Sequence, residues 1–175
     1  MIRKLFAIDL TPNEIIARDQ GHTFFPIQPI RDLIAGEGVD LIETLVTLVA
    51  RVADDNPNAI AANHENFKRK QHALEMAGAR VIEAPAKRCQ NGNFKQSDDQ
   101  RLVIATLSLA LRLRPDFLVL AAADGDFAPM VWELRNVGIR TEVMARPECL
   151  ASDLRRAAYS VIDLDEVLAT VGGNY

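Results

Sequence analysis

The chain has 175 residues, of which 49% are apolar and 25% charged, and its net charge is −4. That length suits about one domain on a ~150-residue norm and allows a sizeable core. The mixture excludes wholesale disorder and a globally basic nucleic-acid binder, the two cysteines (Cys89 and Cys149) exclude a disulfide framework, and no apolar run approaches the ~18 residues of a membrane span. Any anionic partner therefore needs a local basic patch or a bridging cation. The N-terminal MIRKLFAIDL meets Asp9 too early for a signal-peptide core. A reducing, cytoplasmic setting is the expectation, with both thiols free.

Lys4 to Ile8 reads as a buried strand ending at Asp9. Thr11-Pro12-Asn13-Glu14 resembles a capping box with proline at the first helical position, opening a short helix closed by Gly21. A hairpin turning at Asp19 to His22 is the alternative. Ile30 to Ala35 and Asp40 to Ala53 read as amphipathic helices, Ala59 to Ala62 as a weak strand, and His64 to Gly78 as a helix. The strand Arg80 to Glu83 follows. Ala84 to Ser97, with Pro85, Asn91 and Gly92, reads as a loop. Ser97-Asp98-Asp99-Gln100 is a second capping box, starting a helix to about Arg112. Phe117 to Ala123, bounded by Pro115 and by Asp124-Gly125, suits a strand buried on both faces. Phe127, Met130, Val131 and Leu134 mark a helix stopped by Gly138; Ile139 to Met144 is a strand, Leu150 to Ala158 a helix, and Val161 to Leu164 a last extended piece. Alternating strands and helices imply right-handed crossovers and a mostly parallel α/β sheet flanked by helices. No linker or repeat interrupts it, so a single domain over residues 1–175 is expected.

In an open parallel sheet, ligands bind beyond the carboxyl ends of the strands. Asp9 follows the first strand, Asp124 and Asp126 follow the fourth, and Asp98 and Asp99 open the helix between. If the first and fourth strands are neighbours, these carboxylates converge. Converging acids repel and demand a cation. Oxygen-only ligands suit Mg²⁺ or Mn²⁺, and no His or Cys pair has zinc spacing. Each acid alone also has a plainer explanation. Asp126 suits a helix N-cap, Asp98 and Asp99 suit a helix dipole, and Asp9 suits a solvated strand end.

The segments Lys95-x-x-Asp98-Asp99, Leu118-Val-Leu-Ala-Ala-Ala-Asp124-Gly125-Asp126-Phe127 and Leu134-Arg135-x-x-Gly138 resemble the NYN domain of the PIN-like nuclease superfamily, especially its LabA-like bacterial branch. Ala151-Ser152-x-Leu154 and Ala158-x-x-x-Ile162-Asp163-Leu164 are similar to its closing motif. The resemblance implies a PIN-like three-layer α/β sandwich and hydrolysis of RNA at a Mg²⁺ or Mn²⁺ site. Asp9, Asp99, Asp124 and Asp126 would be its catalytic and metal-holding acids, with Asp98 as the alternate register for Asp99. Three positions depart from the family pattern. Asn13 falls one residue late, Ile104-Ala105-Thr106 stands where a second helix carboxylate is usual, and Ala122 replaces a serine.

Lys87, Arg88, Lys95 and Arg101 surround the loop before Asp99, with Phe94 among them. These residues, with Asn13 and Asp98, are the candidate contacts to single-stranded or structured RNA, the basic ones through phosphate and Phe94 through base stacking. A solvated basic loop over a tucked Phe94 is the competing account. A second reading of the whole chain is a catalytically weak or inactive module that binds RNA or a protein partner for regulation; the missing carboxylate near Ala105 favours it. Apolar faces around Leu41 to Val52 offer a surface for homodimerisation.

Overall fold

In the computed structural model, residues 1–51, 57–88, 94–95 and 97–172 are described. The elements, in order, are β1 (Ile2–Ile8), α1 (Leu10–Asp19), α2 (Ile27–Ile34), β2 (Val39–Arg51), α3 (Pro57–Met76), β3 (Arg80–Arg88), β4 (Phe94–Lys95), α4 (Asp98–Leu113), β5 (Phe117–Ala121), α5 (Ala128–Asn136), β6 (Arg140–Ala145), α6 (Ser152–Ala157), β7 (Ser160–Asp163) and α7 (Leu164–Val171). A single 3-10 turn, Gly125–Phe127, joins β5 to α5.

The strands form one seven-stranded sheet in the order β4-β3-β2-β1-β5-β6-β7. Every pairing is parallel except β3 with the two-residue β4. β1 and β5 are neighbours at its centre, in register from Lys4 opposite Phe117 to Ile8 opposite Ala121. Their side chains alternate between the two faces. Leu5, Ala7, Leu118 and Leu120 pack with Leu102 of α4, Val131 and Leu134 of α5 and Leu154 of α6. Phe6, Ile8, Val119 and Ala121 pack with Ala17 of α1, Ile30 of α2, Leu74 of α3 and Leu168 of α7. The result is a three-layer α/β sandwich with helices on both faces, as parallel crossovers require. No described helix is long and apolar enough to cross a membrane.

Most elements fall where the sequence places them, with four corrections. The stretch read as a helix from Asp40 is the strand β2, held between β1 and β3. Its ladder runs through the β-branched Thr44, Val46, Thr47 and Val49, which favour extended backbone. Both of its faces are covered, so no alternation betrays the period. The homodimer surface inferred from that stretch disappears with the helix. Ala59 to Ala62, read as a weak strand, lies inside α3. Residues 84–88, read as loop, continue β3, and α7 has no counterpart in the sequence reading.

Gly78 sits in the turn between α3 and β3 with φ +78, a left-handed conformation. A Cβ there would lie 1.9 Å from an Arg31 guanidinium nitrogen. That guanidinium is committed: Nη1 donates to the Ala77 carbonyl at 2.9 Å and Nε to Thr44 Oγ1 at 3.0 Å. Gly78→Ala therefore strains the backbone and displaces a hydrogen-bonded arginine that ties α2 to β2 and to the end of α3. Thermal unfolding is expected to show a loss of about 2 kcal/mol, or roughly 4–8 °C in Tm.

Candidate metal centre

β1 delivers Asp9 to the carboxyl edge of the sheet, and two contacts fix it there. The Asp9 backbone N–H donates to the Ala121 carbonyl at 3.0 Å. The buried Asn13 amide, one turn into α1, donates from Nδ2 to the carbonyls of Asp9 (2.6 Å) and Ala121 (2.9 Å). Asn13 thus clamps the ends of β1 and β5 together. Its Nδ2 is spent on these two carbonyls, and Thr11–Glu14 forms no capping box. α1 begins at Leu10 with Asp9 as its N-cap and no side-chain cap. Glu14 is buried and paired with Lys70 of α3 at 2.7 Å instead.

α4 enters from the other side. Leu102, Thr106, Leu109 and Ala110 face the sheet, which sets the N-terminus of the helix over the strand ends. Ser97 is the N-cap but makes no side-chain bond, so its box is also unformed. Asp98 and Asp99 occupy the first turn, where the helix dipole favours negative charge. One carboxylate oxygen from each of Asp9, Asp98 and Asp99 lies within 4.8 Å of the others. Asp98, expected both as a substrate contact and as the alternate register for Asp99, stands in the acid cluster beside it.

The third contribution comes from β5. Asp124 caps the 3-10 turn, its Oδ1 accepting from the Asp126 backbone N–H at 3.0 Å. Both acids are exposed. A cavity of about 380 Å³ beside the cluster is lined by Asp99 and Asp126 together with Gln100, Val103 and Ile104 of α4.

The electrostatics follow from this crowding. Burial, then Asp99, Asp98 and Asp124, push Asp9 up to about 7. Burial, then Asp98, Asp124 and Asp126, push Asp99 up to about 6. Both respond to Asp124, so acids from β1, α4 and the end of β5 feel one another. Asp9 is 6% exposed and its Oδ1 has no hydrogen-bond partner among the described residues. A buried carboxylate oxygen without a donor, facing two more carboxylates, fits a hard divalent cation such as Mg²⁺ or Mn²⁺.

The basic candidates divide. Arg101 Nη1 donates to the Glu83 carbonyl of β3 at 3.0 Å, a tie between α4 and the sheet. Lys87 and Arg88 pair in backbone register with Lys95 and Phe94 across β3 and β4. The side chains of these four lie outside the described residues, as do residues 89–93 between the strands. Lys70, in the basic run Lys68-Arg69-Lys70 of α3, is the partner of buried Glu14. Only proximity in the fold could reveal that pairing, because the two lie on separate helices.

A family model described as NYN domain matches residues 27–165, which takes in α4, β5 and the acids that follow, and begins after Asp9. Among solved structures, VPA0982 from Vibrio parahaemolyticus, described as a protein of unknown function, is similar at a TM-score of 0.69 and 17% identity, covering 94% of each chain. At that identity the likeness concerns the fold alone. MurG from Acinetobacter baumannii gives a TM-score of 0.48 at 11% identity, over 92% of this chain and 41% of the other, too low for any argument. Comparison with curated proteins gives no match.

The acid cluster makes a stability prediction. An acid whose pKa is higher folded than unfolded binds its proton more tightly in the folded state. The contribution of Asp9 to stability is then full below about 4 and lost as pH rises through about 7. In metal-free protein, Asp9→Asn is expected to match the wild type near pH 4 and to melt at a higher temperature at pH 8. Added Mn²⁺ at pH 8 is expected to raise the wild-type Tm and to leave that of Asp9→Asn nearly unchanged. Differential scanning fluorimetry across pH, with and without Mn²⁺, checks both.

Proposed function

Because the chain belongs to the NYN domain family, we propose that it is a metal-dependent ribonuclease that hydrolyses phosphodiester bonds of single-stranded or structured RNA. The observation that carries this reading is the buried Asp9 carboxylate, which has one oxygen within 4.8 Å of ligand atoms from Asp98 and Asp99 and an Oδ1 with no hydrogen-bond partner among the described residues. Asp9, Asp98 and Asp99 would hold the divalent cation, Mg²⁺ or Mn²⁺, while Asp124 stands outside that group of three and acts on it through its charge. When bound, the cation offsets charge on the phosphoryl oxygens and makes nearby water more acidic.

The chain's own groups supply the rest. Asp126 and Asp99 face the same cavity, where Asp126 accepts a hydrogen bond from the attacking water and fixes its direction toward phosphorus. Asp124 is oriented for this by the Asp126 N–H on its Oδ1, which stiffens the turn. Asn13 keeps β1 and β5 from parting, so the acids hold their spacing. Arg101 uses one donor on Glu83 and has others for a phosphate oxygen. The sequence of the β3–β4 ribbon adds Lys87, Arg88 and Lys95 as phosphate contacts and Phe94 as a stacking surface. A cytoplasmic setting suits the free, exposed thiol of Cys149.

The second reading, a regulatory module that binds RNA or a protein without cleaving, is favoured by one observation. Beyond its first turn, α4 offers Val103 and Ile104 to the cavity and no further carboxylate. A cleavage assay on labelled single-stranded, duplex and hairpin RNA separates the two. Wild-type protein with Mn²⁺ is expected to cleave, EDTA to abolish cleavage, and Asp99→Asn or Asp124→Asn to lower the rate by a factor on the order of 10²–10³. Equal cleavage by wild type and Asp124→Asn refutes this site, and RNA binding without cleavage supports the regulatory module.

A further inference from the structure

Ile104 is 68% exposed and stands beside the acid centre rather than in the core. On α4, Asp99 and Val103 are four residues apart, as are Gln100 and Ile104, so an apolar step lies one turn along the helix from the acid step. Val103 is partly buried and packs against the core, which braces the step from beneath. Asp126 forms the facing wall of the same 380 Å³ cavity. The inward positions of α4 are already taken by Leu102, Thr106 and Leu109, so Ile104 has no packing role toward the sheet.

From this juxtaposition we propose that Val103 and Ile104 form a base-docking step, on which the nucleobase next to the scissile phosphate lays its face, with the Gln100 amide at its edge. The proposal rests on the ribonuclease reading and names how that site takes hold of its substrate. A phosphodiester brought to five neighbouring carboxylates gains little from the protein's charge, because the cation and the acids largely offset each other. Arg101 and the basic residues of the β3–β4 ribbon serve the phosphates, and the base beside the reacting linkage calls for a neutral contact within one nucleotide's reach. The cavity offers such contact on this turn of α4. A flat nucleobase has an apolar face to cover Ile104 and polar edges for Gln100, whereas a bare phosphate or a sugar has no use for an aliphatic surface. A purine covers more of the step than a pyrimidine, so purines are favoured at this position.

The test uses the full chain with oligo(A) and oligo(U) of equal length, reading cleavage kinetics with Mn²⁺, RNA binding by fluorescence anisotropy with Ca²⁺, and Mn²⁺ affinity by calorimetry. Ile104→Ser is expected to weaken oligo(A) binding and raise its KM roughly five- to tenfold, to erase most of the preference over oligo(U), and to leave kcat and Mn²⁺ affinity within about twofold. Ile104→Phe is expected to restore or tighten oligo(A) binding. Because Ile104 is exposed, both variants keep the wild-type Tm. A wild type that cleaves, with Ile104→Ser unchanged in KM and preference, overturns the base-docking step and leaves the ribonuclease intact. A wild type that binds RNA through Ile104 without cleaving keeps the step and removes the nuclease activity. A wild type that neither binds nor cleaves RNA removes both.

Discussion

The organising constraint in this fold is the repulsion among carboxylates that the backbone holds at one edge of a sheet. Asp9 is buried, its Oδ1 has no donor among the described residues, and Asp99, Asp98 and Asp124 press their charge on it. Left alone, such a group favours its protonated form, and Asp9 and Asp99 are both displaced upward. The rest of the molecule has to resist the separation of these groups. β1 and β5 do so by lying side by side in the core, with Asn13 closing their ends. α4 does so through its apolar inner face, which leaves its first turn no freedom to retreat.

This arrangement costs stability at pH values where the acids are charged. A cluster of this kind becomes tolerable when a divalent cation neutralises it, and an all-oxygen donor set of three carboxylates fits a hard cation. It also explains the division of labour between the two helix layers. The α1 side carries the clamp, Asn13, and the neutralised Glu14–Lys70 pair. The α4 side carries the charge. A fault in the first layer would move Asp9 without touching any group that faces the cavity.

How much of this was legible in the sequence depended on whether the information was local. The β5 segment could be read because an apolar run is cut off by Pro115 at one end and Asp124 at the other. The start of α4 could be read because Ser97 precedes two acids. β2 could not, since covering both faces of a strand removes the alternation that distinguishes it from a buried helix. α7 was missed because an eight-residue helix directly after a strand leaves little periodicity to see. Asp98 and Asp99 could not be told apart as ligands from spacing alone. At a helix N-terminus both side chains can turn toward one point, and the crossing of α4 over the sheet decides it. Asn13 and Arg101, expected as substrate contacts, also bond the carbonyls of Ala121 and Glu83, backbone atoms that no sequence pattern announces.

The departures from the family pattern then acquire a common physical sense. Where a further helix carboxylate is usual, the chain has Ile104-Ala105-Thr106, and Thr106 is wholly buried against the sheet while Ile104 stands in the open. Losing an acid on α4 lowers the total repulsion, and Asp98, beside Asp99 in the first turn, compensates within the cluster. The helix thereby gathers its charge at one end, where its dipole favours it, and frees the next turn for neutral contact. An acidic centre and an apolar step on successive turns of one helix are well matched to a ligand that is itself divided into a charged linkage and a flat, uncharged ring.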